Sequence, residues 1–332
     1  MRKENIFKTM EKDVMNSKAS ETEKSRILKN IMRLKEKNIN ILITGATGCG
    51  KSSTINALMD MEVAKVGTSP DPETMDMEKY ELDNLILWDT PGLGDGKEAD
   101  NRHAKNIISK LAEVDENGNG LIDLVLVILD GSSRDFGTSY ELINNVIIPN
   151  MGEDKKDRIL VAINQADMAM KGRHWNREEN RPEKTLQDFL DKKAASVKSR
   201  ILEATGVEVD PICYAAGYTD EEGEEEIRPY NLSKLLYYIV QATPVEKRAI
   251  YLNNINENEE MWQDDDELEE YGEKTRQSIW ESVVEGVSKG AYVGGELGKI
   301  FGKTGERIGK VVGGVVGGAI HAVKWIGGKI FG

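Results

Sequence analysis

The residues with the plainest chemistry lie at 45–52, Gly-Ala-Thr-Gly-Cys-Gly-Lys-Ser. Gly45, Gly48 and Gly50 allow a backbone to wrap so that its N–H groups converge on an anion. Lys51 would then reach the β- and γ-phosphates of a nucleotide, and the Ser52 hydroxyl would meet Mg²⁺. Ser53 continues the same phosphate-binding run. Cys49 reads as a small loop filler, with a redox-sensitive thiol as the alternative. The pattern G-x-x-x-x-G-K-[ST] works only between a strand and a helix. Here the apolar run Ile39–Thr44 precedes it and helical spacing over Lys51–Met59 follows it.

Two more clusters follow in order. Asp89-Thr90-Pro91-Gly92 ends the apolar run Leu85–Trp88. Asp89 suits Mg²⁺ held through water, and the Gly92 N–H suits a γ-phosphate. Asn164-Gln165-Ala166-Asp167 ends the run Ile159–Ile163. A carboxylate at Asp167 accepts two hydrogen bonds from guanine N1 and N2. Adenine offers neither donor, and a buried Asp left unpaired is costly. The run resembles the guanine-reading motif N-K-x-D, and Gln165 departs from it where the motif's Lys stem would cover the base, which implies lower affinity.

The elements that must position these residues are readable from periodicity. Helical spacing covers 3–37, broken near Asn16–Thr22. Asp83-Asn84 separates two short runs as a hairpin turn would. Leu121–Leu129 is the most continuous apolar run and the expected sheet centre. Ala99–Glu116, Phe136–Ile148, 183–205 and Ser233–Ala242 read as helices, and Pro211–Ala215 as a last strand. Strands alternating with helices predict an α/β fold with a mostly parallel central sheet flanked by helices, plus N- and C-terminal helical appendages. The expected divisions are 1–38 as an N-terminal helical segment and 39–245 as the nucleotide domain. An acidic linker with an amphipathic helix follows at 246–285, then a glycine-rich basic tail at 286–332.

The order of these motifs over residues 39–242 resembles an Era-like P-loop GTPase of the translation-factor (TRAFAC) class. Ile43–Leu58 together with Asp89–Gly96 resembles small prophage-associated bacterial GTPases of the YfjP type. The resemblance implies GTP and GDP as substrate and product, Mg²⁺ as cofactor, and a Mg²⁺-ligating threonine before the hairpin. Thr74 is the choice and Thr68 the runner-up. It also places Ala215 and Ala216 in the loop where the Ala216 N–H meets guanine O6. Lys51, Thr74 and Gly92 are then the catalytic set, and Ser52, Thr74 and Asp89 the metal set. Leu93 occupies the place of a water-positioning Gln and Gly48 that of a potassium-linked Asn, so slow intrinsic turnover is expected. Arg102, His103 and Arg134 are weaker contributors, read first as surface residues.

Charge narrows the partners. The chain of 332 residues carries −14 overall, with +5 over 1–38, +5 over 286–332 and −24 between them. An acidic body disfavours nucleic acid. Two cysteines and no apolar leader imply a cytoplasmic protein, peripheral at the inner face of a membrane if the tail binds one. Asp115–Asp123 matches the start of a calcium loop, but its twelfth position is Leu126. It reads instead as an Asn-Gly turn. Twelve glycines between Gly286 and Gly318, beside apolar and basic stripes, leave three readings of the tail open: association with an anionic membrane surface, packing on the N-terminal helices, or disorder. Self-association to a homo-oligomer and a ribosome-linked role are further expectations.

Overall fold

The computed structural model describes residues 4–59, 65–68, 77–92, 96–152, 158–219, 226–288 and 300–313. In chain order they form α1 (Ile6–Asn16), α2 (Glu21–Lys35), β1 (Ile39–Gly45), α3 (Lys51–Leu58), β2 (Lys65–Thr68), β3 (Glu78–Glu81), β4 (Leu85–Asp89) and α4 (Lys97–Ala112). Then come β5 (Leu124–Asp130), α5 (Gly137–Leu142), a π-helical stretch Ile143–Ile147 running into α6 (Ile148–Asn150), and β6 (Ile159–Asn164). The ribbon β7 (Trp175–Asn176) and β8 (Arg181–Pro182) precedes α7 (Lys184–Thr205) and β9 (Ile212–Cys213). A second small ribbon pairs β10 (Tyr218–Thr219) with β11 (Glu226–Ile227). The chain continues through α8 (Leu232–Ala242), a 3₁₀ stretch Val245–Asn253, α9 (Tyr271–Ser288) and α10 (Gly302–Gly313).

The sheet order is β2-β3-β4-β1-β5-β6-β9. β4, β1, β5, β6 and β9 run parallel, and the β2-β3-β4 edge is antiparallel. Every residue of β1 and β6 is buried, as strands covered by helices on both faces require. β5 is central among the five parallel strands, and its Leu124, Leu126 and Ile128 face one core while Val125, Val127 and Leu129 face the other. The period-two split shows a sheet sandwiched between two apolar layers. The β3–β4 turn is made by Asn84 at φ 64°, a left-handed position that Asn tolerates.

The ends of the chain meet. α1 and α2 pack with α9 and α10, and their Ile6, Phe7, Met10, Ile27 and Ile31 join the same core as Ile279, Val283, Phe301 and Ile308. Asp13, buried in α1, accepts from Thr304 N and Oγ1 at 2.8 Å. Asn30 Nδ2 donates to Val287 O. Gly286 lies so close to Leu34 that a Cβ there would stand 2.7 Å from its Cδ2, so here a tail glycine serves close helix packing. Gly302 and Gly305 fall inside α10. An Asp13→Ala change leaves two buried donors at the α1–α10 junction unpaired. It is expected to cost about 2–4 kcal/mol, read as a lowered urea midpoint with faster proteolysis near 300.

The acidic segment after the 3₁₀ stretch is docked. Asp264 accepts from Asn180 Nδ2 and Arg228 Nε, Asp265 from Ser233 Oγ, and Asp266 from Lys234 Nζ. These carboxylates gather at the start of α8, where a helix dipole favours negative charge.

Candidate functional site

β1 stops at Gly45 and α3 starts at Lys51, so the intervening loop sits at the carboxyl end of the parallel sheet, where open α/β sheets place ligands. Gly48 and Gly50 adopt φ of 79° and 86°. A Cβ at Gly50 would overlap Asn164 Nδ2. Gly50→Ala is therefore expected to lower nucleotide affinity at least about tenfold, from left-handed strain and displacement of the Asn164 amide; equilibrium dialysis with labelled GDP measures it. Lys51 Nζ rests on the carbonyls of Gly45 (3.3 Å) and Ala46 (3.5 Å). Ser52 and Ser53 are exposed on the first turn of α3. Cys49 is fully buried, and burial pushes its thiol up to about 11. A thiol held protonated in this way is a filler.

Two residues of the Asn164–Asp167 run grip the phosphate loop. Asn164 Nδ2 donates to Cys49 O at 2.9 Å, and Gln165 Nε2 donates to Gly48 O at 2.9 Å. The other end of the Asn164 amide accepts from Ala216 N at 3.0 Å. Asn164 is 2% exposed and has both ends of its amide engaged by protein, so it ties the phosphate loop to the Ala216 backbone, as a buried amide requires. Ala215 exchanges both of its backbone groups with Tyr230. Gln165 sits at φ 59°, and its side chain reaches back to Gly48.

Asp167 is half-buried at the end of the same turn. Burial raises its carboxyl above the usual carboxylate range, opposed by its own N–H and that of Met168. A cavity of about 480 Å³ opens beside it, lined in part by Trp175, Arg177 and Glu260, a size that admits small ligands.

Asp89 ends β4 and is 8% exposed. Burial pushes its carboxyl up to about 6, against the pull of the Lys51 charge, and its Oδ1 is buried with no partner among the described residues. An orphaned carboxylate oxygen beside a phosphate loop fits a cation. Among the described residues no group of three His, Cys, Asp or Glu gathers. Gly92 presses on the loop, since a Cβ there would overlap Thr47 Oγ1 and stand 2.6 Å from its Cα. Thr74 and Leu93 lie outside the described residues. Thr68 ends β2. His103, read as a surface residue, is 4% exposed inside α4.

Sequence reasoning missed Tyr214, whose buried hydroxyl lies 2.6 Å from Thr54 Oγ1. Thr54 in turn donates to Gly50 O, so the strand-end loop supports the first turn of α3. The calcium-like stretch is a turn closed by Asp115 Oδ1, which accepts from Asn117 N and Asn119 N, while Leu126 is buried in β5.

Comparison with known proteins matches residues 40–165 to the family described as 50S ribosome-binding GTPase. The chain is similar to the uncharacterized protein YfjP of Escherichia coli (strain K12), 30% identical over 148 residues, covering 43% of this chain and 47% of that protein. It is 27% identical over 138 residues to the mitochondrial 5-taurinomethyluridine-tRNA synthase subunit GTPB3 of Mus musculus, covering 39% of this chain and 26% of that one. It thus spans less than half the length of both relatives. Among solved structures, Toc33 of Arabidopsis thaliana with Mg²⁺ and GMPPNP is similar at 15% identity and TM-score 0.41, covering 74% of this chain and 98% of that one.

Proposed function

We propose that this chain, the carrier of a P-loop GTPase domain, binds GTP and GDP with Mg²⁺ and hydrolyses GTP to GDP and phosphate as a molecular switch. One observation carries the reading. The turn that ends in Asp167 is bolted to the phosphate loop through Asn164–Cys49 and Gln165–Gly48. A base held at Asp167 and phosphates held at 45–52 therefore belong to one rigid frame. Lys51 balances phosphate charge, Ser52 and Asp89 hold the metal side, and Gly92 gives its N–H at the γ-phosphate. Thr74 is the proposed third metal contact. Bound Mg²⁺ supplies charge neutralisation on the β- and γ-oxygens. With Leu93 after Gly92, intrinsic turnover is slow and an activator or self-association speeds it. Competition against fluorescent GDP tests the base assignment: GTP displaces it and ATP does not. Equal displacement by ATP removes the guanine reading.

We further infer Era-like, YfjP-type kinship from the wording of Ile43–Leu58 and Asp89–Gly96, and with it a prophage setting. A cytoplasmic protein that meets an anionic membrane through residues beyond Gly313 is the second reading, motivated by the basic, glycine-rich composition there. No helix among the described residues is long and apolar enough to cross a membrane. Co-sedimentation with phosphatidylserine vesicles, full chain against a chain ended after Gly313, decides it, and equal binding by the two removes the tail's role. The acidic body speaks against a ribosome-linked role; salt-sensitive co-sedimentation with ribosomes would restore it.

The raised Asp89 carboxyl gives a pH dependence with a definite sign. Its charged form is needed for a cation, and burial favours the proton. Protons therefore compete with Mg²⁺ below about 6. Mg²⁺-dependent GDP affinity is expected to rise roughly tenfold from pH 5 to pH 7 and then level off. An Asp89→Asn protein should show a flat profile in the same titration.

A further inference from the structure

Away from Asp167, a larger cavity of about 780 Å³ opens between the loop after β5, the turn after Asp167 and one face of α7. It shares no lining residue with the cavity at Asp167. Its rim carries Arg134, Lys171, Arg173, Lys192 and Arg200, with Lys193 at its floor. Among the described residues the only carboxylate lining it is Asp135, and that group accepts from Gly137 N at the start of α5.

None of the five rim cations forms an ion pair with a described residue, although the chain as a whole is acidic at −14. Five exposed like charges around one concavity make a local positive potential on an acidic body, and a concave wall focuses that field toward an anion. Arg adds planar, forked donors suited to phosphate oxygens.

The floor has a second character. Phe136 and Val197 are buried in it, and Phe189 is 39% exposed on it. Lys193 Nζ lies 4.8 Å from the Phe136 ring centre and 5.7 Å from that of Phe189. The same ammonium donates to Gly131 O at 2.6 Å and Ser133 O at 2.5 Å, which fixes the loop that forms the wall. The arrangement is a cationic rim above an aromatic floor, in a volume of the size that takes small ligands.

We propose that this cavity is a second ligand site, separate from the phosphate loop, for a small polyphosphate anion that carries an aromatic ring. The rim takes the phosphates, and the ring lies against the exposed Phe189. Guanine specificity is not required, because every base offers a stacking face.

The test uses the full chain saturated with GDP and Mg²⁺, in equilibrium dialysis against labelled ATP. One ATP is expected to bind per chain with sub-millimolar affinity while GDP stays bound. Tripolyphosphate, which lacks a ring, is expected to compete at least about fivefold more weakly. Lys192→Glu with Arg200→Glu should weaken ATP binding at least tenfold and leave GDP affinity within twofold. The same pair changed to Gln, with melting followed by circular dichroism, separates lost charge from a lost fold. A Lys51→Ala protein should retain this ATP site. Absence of ATP binding below 1 mM, equal competition by tripolyphosphate, or indifference to the double substitutions overturns the proposal. ATP that displaces GDP speaks instead against the guanine assignment, so the two failures are distinct.

Discussion

Replacing Asp167 with Ala is expected to abolish the preference for guanine over adenine nucleotides, by about two to four orders of magnitude in the GDP-to-ADP affinity ratio. The size follows from two hydrogen bonds accepted by a charged group, each contributing about 1.5–3 kcal/mol. Burial raises the Asp167 carboxyl, so two N–H donors on the base would stabilise a partly desolvated anion. Asp167→Asn serves as the control. It keeps the side-chain volume and changes only one terminal atom. Its amide can accept from purine N1–H and donate to a carbonyl at position 2. That protein should favour xanthine over guanine nucleotides. Fluorescent GDP titrated with GDP, ADP and XDP reads all three. Unchanged guanine preference in Asp167→Ala would remove the proposed function at its root. Loss of all nucleotide binding in Asp167→Asn would show a damaged frame instead.

The phosphate loop, the Asp89–Gly92 turn and the parallel strands were legible because each is local. A glycine with positive φ, an apolar run buried on both faces and an Asn-containing turn leave marks within a few residues. The role of Asn164 was not legible. Its amide joins Cys49 to Ala216 across 115 and 52 positions of chain, and no pattern around 164 states where those partners lie. The same holds for Tyr214 on Thr54. The acidic run 264–266 looked like a linker because its charge is dense, and charge density alone does not say whether a helix start receives it. The cationic cavity was hidden for a related reason. Arg134, Lys171, Arg173, Lys192 and Arg200 come from three separated segments, so the sequence shows scattered surface charges where the fold makes one rim. Of the tail glycines, Gly286 packs against Leu34, a contact set by helices at opposite ends of the chain and so invisible in the local pattern.

Asp123→Ala is expected to destabilise the protein by about 3–5 kcal/mol while leaving GDP affinity within about threefold at a temperature where the variant is folded. Asp123 leads into β5 and is 4% exposed. One carboxylate oxygen accepts from Asn40 N at 3.0 Å, and both oxygens accept from Lys247 Nζ at 2.8 Å. A single side chain thus joins the start of β1, the start of β5 and the 3₁₀ stretch that leads to α9. Removing it strands a buried N–H and leaves a lysine, 21% exposed, without its partner. Lys247→Ala should cost less, since Asn40 N keeps its acceptor. The double variant should fall short of the sum of the singles, because each single change already breaks the shared pair. Urea unfolding of the four proteins gives the cycle. Additive costs would mean that the ion pair contributes nothing beyond its parts. The junction lies at the amino ends of β1 and β5, and the nucleotide loop lies at their carboxyl ends. A large loss of GDP affinity in the folded Asp123→Ala protein would therefore show that the helical body and the nucleotide frame are energetically coupled through the length of the sheet.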